Sequence, residues 1–378
     1  MKVVRLWLLV AVALLVCLFA GPGDVIGEEE GSSIPVHFLE NREISLDLYP
    51  AGFQSAAVLT GTGIDGEEYL YPIRILITLL ANQGVKGTIF LTTGDIFRKN
   101  LAGNRHWVEL LSELSSRGFE IAQNSYQISG EPGSEKGIES GSRDQSISSR
   151  IEEIKEDREF LVSLGQEPEG YRGYDSTGRI TPFLDKMGYL YFCAINRDVD
   201  YREDQRKAPA PHTREIYFYP EDTAGLRILT FFDMVEPSVD LIDARRRFNE
   251  VSQRSGVMIC HVYMPGLRDK TRLAKLKQFI TYLKEQKAWI CSLRELSRWW
   301  NGRRRVEIKT WWDDNTLVIV YDNPTRFLLK NARLNFKELK IPARYYRVEN
   351  REGTAASQGI IPDGRAVNVT LFPTEPGS

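Results

Sequence analysis

A chain of 378 residues and 43.2 kDa is longer than one compact core usually runs, so a large domain with a smaller companion is expected. Hydrophobic residues at 42% and charged residues at 26% exclude a disordered chain. A net charge of −2 without a basic block excludes a nucleic-acid binder, the short Arg303-Arg304-Arg305 run reading as the solvated end of a helix.

At the N-terminus, Lys2 and Arg5 precede an unbroken apolar run from Leu6 to Ala20, which Gly21-Pro22-Gly23-Asp24 ends. The run is shorter than the roughly 20 residues that span a bilayer and suits the apolar stretch of a signal peptide. Residues 1–23 are therefore expected to be a signal peptide or, if retained, an N-terminal anchor that holds residues 6–20 in the membrane. Either way the protein is expected outside the cytoplasm, secreted or membrane-anchored. Cys17 follows Val16, where a lipoprotein site needs a small residue, so lipidation is not expected. The other cysteines, Cys193, Cys260 and Cys291, are odd in number, lack CxxC spacing and lie in apolar runs, which suits buried thiols.

Residues 24–50 read as a stalk and lead-in, acidic at first with Gly and Ser. From Phe53 strand-like and helix-like segments alternate. Ala56 to Thr60 is an expected strand, and Tyr71 to Asn82 carries helical apolar spacing and stops near Gly84. Gly87 to Leu91 and Phe119 to Ala122 are further expected strands around a helix from Trp107 to Ser116. Residues 129–146, rich in Gly, Ser and charge, form an expected loop. A helix from Ile151 to Leu164, the element Gly170-Tyr171-Arg172, a helix near Thr181 to Met187 and a strand from Leu190 to Ile195 follow. After a polar loop at 202–214 come expected strands at Leu226 to Phe232, Gly256 to Cys260 and Ala288 to Cys291. Helices at Leu241 to Ser255 and Thr271 to Glu285 separate them.

This alternation predicts a (β/α) barrel of the α/β class over residues 51–302, with its chemistry on loops at the carboxyl ends of the strands. After Trp299-Trp300 the texture changes. Short strands are expected at Val306 to Trp311, Thr316 to Tyr321, Phe327 to Phe336, Ala343 to Val348 and Ala366 to Phe372, with turn residues between them. Residues 303–378 therefore predict a small C-terminal antiparallel β-sandwich domain. The tryptophan pairs Trp299-Trp300 and Trp311-Trp312 flank this boundary and are expected to join the two parts.

Over residues 50–300 the order of short motifs resembles the polysaccharide deacetylases that act on chitin, peptidoglycan and related N-acetylated glycans. That family opens with a strand ending in Thr-Phe-Asp-Asp-Gly or an Asp-x-Asp-Gly-Glu variant; here the strand reads Leu59-Thr60-Gly61-Thr62-Gly63-Ile64-Asp65-Gly66-Glu67. Its Ala-Thr-Phe-Phe strand is matched by Gly87-Thr88-Ile89-Phe90-Leu91. Its Gly-His-Glu-Ile strand, which leads to two spaced histidines, is matched by Gly118-Phe119-Glu120-Ile121 running on to Asn124 and Ile128. The Arg-x-Pro-Tyr element is matched by Arg172-Gly173-Tyr174, the Asp-Trp pair by Asp200-Tyr201, and the Leu-x-His strand by Ile259-Cys260-His261. The resemblance implies a barrel of the polysaccharide deacetylase type.

In that family one Asp and two His hold a divalent metal that activates water, the second Asp is the base and the last His the acid. Here an amide and a hydrocarbon, Asn124 and Ile128, stand where the imidazoles would be, and of the carboxylates only Asp65 remains, in a register with one extra residue. One carboxylate does not hold a catalytic zinc ion, so no metal and no cofactor is expected. Arg172, Asp200 and His261 keep the other side of the pocket, and Asp65, Asp200, Arg172 and His261 are the candidate catalytic residues. His261 is either a general acid or a histidine hydrogen-bonded in a pocket wall; without base and metal the second is preferred. Tyr126, Tyr174, Tyr201, Asn124 and Tyr263 are the candidate substrate-binding residues.

Three functions remain open at this point. One is an exported deacetylase-like protein that binds or acts on N-acetylated envelope glycan and is catalytically impaired. If active, it would be a hydrolase of non-peptide C–N bonds. The second is a metal-independent or displaced-site carbohydrate hydrolase built on Asp65, Asp200 and His261. The third is a non-enzymatic envelope assembly protein. The expected partner is a polysaccharide or oligosaccharide, with no nucleic acid; no protein partner is indicated.

Overall fold

In the computed structural model the described residues are 44–63, 67–92, 105–124, 147–173, 180–194, 221–222, 228–232, 236–313, 315–336, 345–362 and 366–374. The expected signal peptide or anchor and the loops at 129–146 and 202–214 lie outside them. Among the described residues no helix is long and apolar enough to cross a membrane.

Strand β1, Ser45–Leu46, belongs to the C-terminal part. The barrel strands are β2, Ala56–Gly63; β3, Thr88–Thr92; β4, Glu120–Asn124; β5, Gly170–Gly173; β6, Tyr191–Ala194; β7, Glu221–Asp222; β8, Leu229–Phe232; β9, Val257–Val262; and β10, Trp289–Cys291. The helices are α1, Glu67–Asn82; α2, Arg105–Ser116; α3, Ile147–Ser163; α4, Thr181–Lys186; α5, Leu241–Gln253; α6, Lys270–Glu285; and α7, Leu293–Arg303. Helix α1 begins four residues earlier than its apolar spacing suggests; the sequence there opens on two glutamates, a residue type favoured at the positive end of a helix.

The sheet runs β2-β3-β4-β5-β6-β8 with every one of these pairs parallel, and β2 pairs with β9 along Ala56–Gly61 and with β10 at its start. Among the described strands of this sheet only the two-residue β7 runs antiparallel, against β8. The fold is therefore a (β/α) barrel-like parallel sheet. β3 and β4 are buried along their whole length, as helices on one side and barrel interior on the other require. Ile73, Leu76, Ile77 and Leu80 of α1, Leu110 and Leu114 of α2, and Phe279, Ile280 and Leu283 of α6 pack on its outer face.

The amino ends of the strands are closed by Glu120. Its carboxylate accepts from Thr88 Oγ1 at 2.8 Å, from Tyr191 Oη at 2.8 Å and from the backbone N–H of Arg294 in the first turn of α7 at 2.7 Å. Tyr191 reaches it by laying its ring over Gly170, its partner in the β5–β6 ladder, where a Cβ would sit 1.8 Å from the ring. Glycine is required there by this close approach.

Beyond α7 lie β11, Glu307–Asp313; β12, Thr316–Asp322; β13, Leu329–Asn335; β14, Tyr345–Asn350; β15, Ala355–Ile360; and β16, Ala366–Leu371. They form two sheets, β1-β13-β16 and β11-β12-β14-β15, enclosing Leu317, Ile319, Leu334, Phe336, Val348 and Leu371. All pairs are antiparallel except β12 with β14, which is parallel. β15, Ala-Ala-Ser-Gln-Gly-Ile, has no β-branched run and was not legible as a strand; it forms because β14 offers it a ladder. The lead-in contributes β1 to the smaller sheet.

Helix α7 joins the two parts. Trp299 enters the sandwich core, whereas Trp300, turned about 100° along the helix, packs on the barrel side 6.0 Å from the Tyr49 ring. Trp299 Nε1 donates to the Leu48 carbonyl at 2.9 Å, and Arg303 donates to the carbonyls of Asp47 and Leu46. A capping box between Ser292 and Glu295 starts the helix.

Candidate functional site

The barrel ladder decides which side chains meet at its carboxyl rim. In a parallel sheet, paired residues point to the same face. Thr92 of β3 pairs with Asn124 of β4, and Asn124 pairs with Arg172 of β5. Their side chains form a chain of hydrogen bonds: Arg172 Nη1 donates to Asn124 Oδ1 at 3.3 Å, and Asn124 Nδ2 donates to Thr92 Oγ1 at 2.9 Å. Arginine only donates, so the amide oxygen must face it. The Arg172 guanidinium also lies 5.8 Å from the centre of the Phe90 ring.

On the neighbouring strand pair, Thr60 of β2 pairs with His261 of β9. The His261 ring is held on both nitrogens, Nδ1 at 3.0 Å from Thr60 Oγ1 and Nε2 at 3.2 Å from Thr62 Oγ1. His261, Asn124 and Arg172 are all buried. Tyr263, two residues past His261, stands exposed at the rim.

Of the residues singled out from sequence, Asn124 and Arg172 are joined by a hydrogen bond, whereas His261, near the end of β9, is held by Thr60 and Thr62, with Tyr263 just beyond it. Asp65, Asp200, Tyr126, Tyr174 and Tyr201, with Ile128, lie outside the described residues. The hydroxyls of Thr60 and Thr92 were not singled out, since nothing in a strand sequence shows which threonine faces which partner.

Glu236 was missed altogether. It follows β8, on the same rim, and its buried carboxylate accepts from the backbone N–H of Tyr263 and from the N–H and hydroxyl of Ser238. Burial pushes its carboxyl above the ordinary 4.5, against the opposing pull of those donors and of Arg272. A lone Glu in Val-Glu-Pro-Ser carries no signal that it reaches 27 residues onward. Glu236→Ala is expected to cost about 1–3 kcal/mol of stability by orphaning these donors. The Tyr263 amide should then exchange its hydrogen faster; unchanged exchange there would show that Glu236 does not hold the segment after β9.

Among the described residues the donor set does not fit a catalytic metal. Asn124 offers a single amide oxygen, already opposed by the Arg172 cation, and both His261 nitrogens are engaged by hydroxyls. Among the described residues no group of three His, Cys, Asp or Glu converges. What the described strand ends offer is a buried row of donors and acceptors on β3, β4 and β5, and an exposed tyrosine after β9.

These strands and this rim define an α/β protein of barrel-like architecture with its polar site at the strand ends. No family model matches the chain, and no curated protein matches it. Among solved structures it is similar to a protein from Mycobacterium smegmatis named for the polysaccharide deacetylases, at 16% identity and a TM-score of 0.48 over 67% of this chain and 92% of that one. It is similar also to one so named from Pseudomonas aeruginosa PAO1, at 13% identity and a TM-score of 0.47 over 67% and 92%. A third is a CE4 family pseudoenzyme from Bacillus anthracis, at 14% identity and a TM-score of 0.37 over 65% and 66%. The likeness is one of fold.

Proposed function

We propose that this protein is an exported, deacetylase-like glycan-binding protein that holds N-acetylated envelope polysaccharide at the strand-end rim and does not hydrolyse it. The observation that carries this reading is the hydrogen-bond chain Arg172–Asn124–Thr92, which gives the place of a metal-binding imidazole to an amide locked between a cation and a hydroxyl. Such a row recognises hydroxyl and acetamide groups, and Tyr263, exposed after β9, offers a ring face for a sugar. His261, clamped by two threonines, shapes the pocket wall. Export rests on the N-terminal sequence, Lys2 and Arg5 before the apolar run.

The test uses the purified protein with N-acetylglucosamine oligosaccharides in the presence of zinc. Oligosaccharide should bind, without acetate release and without a stoichiometric metal. Arg172→Ala should weaken binding about tenfold, a loss near 1.4 kcal/mol, and His261→Ala only modestly. Acetate released with a tightly held zinc ion, or turnover that collapses in His261→Ala, would overturn the reading in favour of an active hydrolase.

A further inference from the structure

A hollow lies at the other end of the barrel, where the amino ends of the strands meet the sandwich. Its volume is ≈ 760 Å³. Phe53 and Trp289 of the barrel, Trp299 of α7 and Phe327 of the β12–β13 connection line it, together with Arg326 and Lys330. The Trp289 and Phe327 rings are half-buried.

Among the described residues the charges of this hollow do not balance. The two carboxylates of its described lining are already engaged: Glu169 is gripped by Arg298, Nε to Oε2 at 2.9 Å, and Glu295 takes Lys86 at 2.8 Å while capping α7. Arg326 lies against the Phe327 ring, its guanidinium 5.5 Å from the ring centre, and neither Arg326 nor Lys330 is paired with a carboxylate of a described residue. Arg326, beside an aromatic face, and Lys330 are thus left for an anion.

A smaller hollow of ≈ 370 Å³ shares Arg326 and Phe327 with the first and is lined further by Tyr189 and Asn301. Asn301 is 2% exposed, yet neither its amide nitrogen nor its oxygen has a partner among the described residues. A buried amide left in this state costs stability, about 1–3 kcal/mol for each unmade bond. Ser297 Oγ, one turn earlier on the same face of α7, is also buried and unpartnered among the described residues. An adjacent donor and acceptor suit a sugar ring, whose neighbouring hydroxyls both give and accept.

We propose that this seam is a second binding site, for an acidic oligosaccharide. A ring carboxylate sits at Arg326 and Lys330, a sugar face lies on Trp289 and Phe327, and hydroxyls reach Asn301 after a small shift of the intervening side chains. The site is separate from the strand-end rim and independent of what that rim binds.

Calorimetric titration with oligogalacturonate, against a neutral cello-oligosaccharide of matched length and inorganic phosphate, tests it. Oligogalacturonate should bind, more weakly as salt rises, and the other two should not compete. The double variant Arg326→Ala/Lys330→Ala alters exposed side chains and should weaken oligogalacturonate at least about tenfold, with N-acetylglucosamine oligosaccharides unaffected. Asn301→Leu supplies the second arm. It should keep or raise the unfolding midpoint, because an unpaired amide is removed, and still weaken oligogalacturonate about tenfold, the worth of one hydrogen bond. Absence of oligogalacturonate binding, equal displacement by phosphate, or full affinity in the double variant would overturn the proposal. So would an Asn301→Leu protein that is destabilised but binds normally, which would make Asn301 structural.

Discussion

Glu120→Ala is expected to lower the unfolding free energy by about 3–5 kcal/mol, the cost of breaking a buried charge-assisted cluster. The carboxylate is the common acceptor for Thr88, Tyr191 and the amino end of α7, so its loss orphans the Tyr191 hydroxyl and the Arg294 N–H in a site without solvent. Leu293 N–H, bonded to Thr88 Oγ1 at 2.9 Å, loosens with them. Chemical denaturation followed by circular dichroism checks this; a change below about 1 kcal/mol, the size of an ordinary substitution, would contradict it.

The same residue gives a pH signature. Burial is the largest influence on the Glu120 carboxyl and raises it above the ordinary 4.5, while Arg294 and the other donors pull the other way. Glu236 is raised for the same reason. A carboxyl whose folded value is raised favours folding in its neutral form. That contribution is complete below 4.5 and is lost as pH rises through the folded values. The denaturation midpoint of the protein should therefore fall from mildly acid pH towards neutrality. Glu120→Gln, neutral throughout, should flatten part of that slope at a smaller overall cost than alanine. A wild-type midpoint that rises over this window would show that other groups dominate.

Trp299→Ala is the second large expected effect, about 3–5 kcal/mol for a buried tryptophan. The ring is buried in the sandwich core, stands edge-on to Trp289 at 6.1 Å and ties the Leu48 carbonyl to α7. Its removal opens a cavity where β1, the sandwich and the barrel meet. Limited proteolysis should then cut near residues 44–53 and in the sandwich before the barrel is degraded. Uniform degradation of all parts would mean that the joint is not held by this side chain. Trp300→Ala acts on the barrel side, through Tyr49, and should leave the sandwich better protected.

Much of the barrel was legible because helices and strands follow periods of 3.6 and 2, which a dozen residues suffice to display. Ile73, Leu76, Ile77 and Leu80 carry the helical spacing that marks α1, and the run Thr-Ile-Phe-Leu-Thr marks β3. That an amide stands at 124 and a hydrocarbon at 128 was legible too, since both are facts of composition. The weakly patterned β15 and the two-residue β1 were not, because each exists only through the neighbour that pairs with it. The parallel pairing of β12 with β14 was equally hidden: alternating strands separated by turns suggest a wholly antiparallel sandwich, and nothing local tells that β13 leaves to join the other sheet.

The sequence by itself determined the class of fold, the expectation of export and the residue types available to the site. Only the tertiary structure decided their partners: Asn124 with Arg172 across 48 residues, His261 with Thr60 across 201, and Glu120 with the start of α7 across 174. The reason is that a parallel ladder sets side chains next to each other by register, after crossovers of many residues. A hydrogen bond between them leaves no periodic trace in the chain.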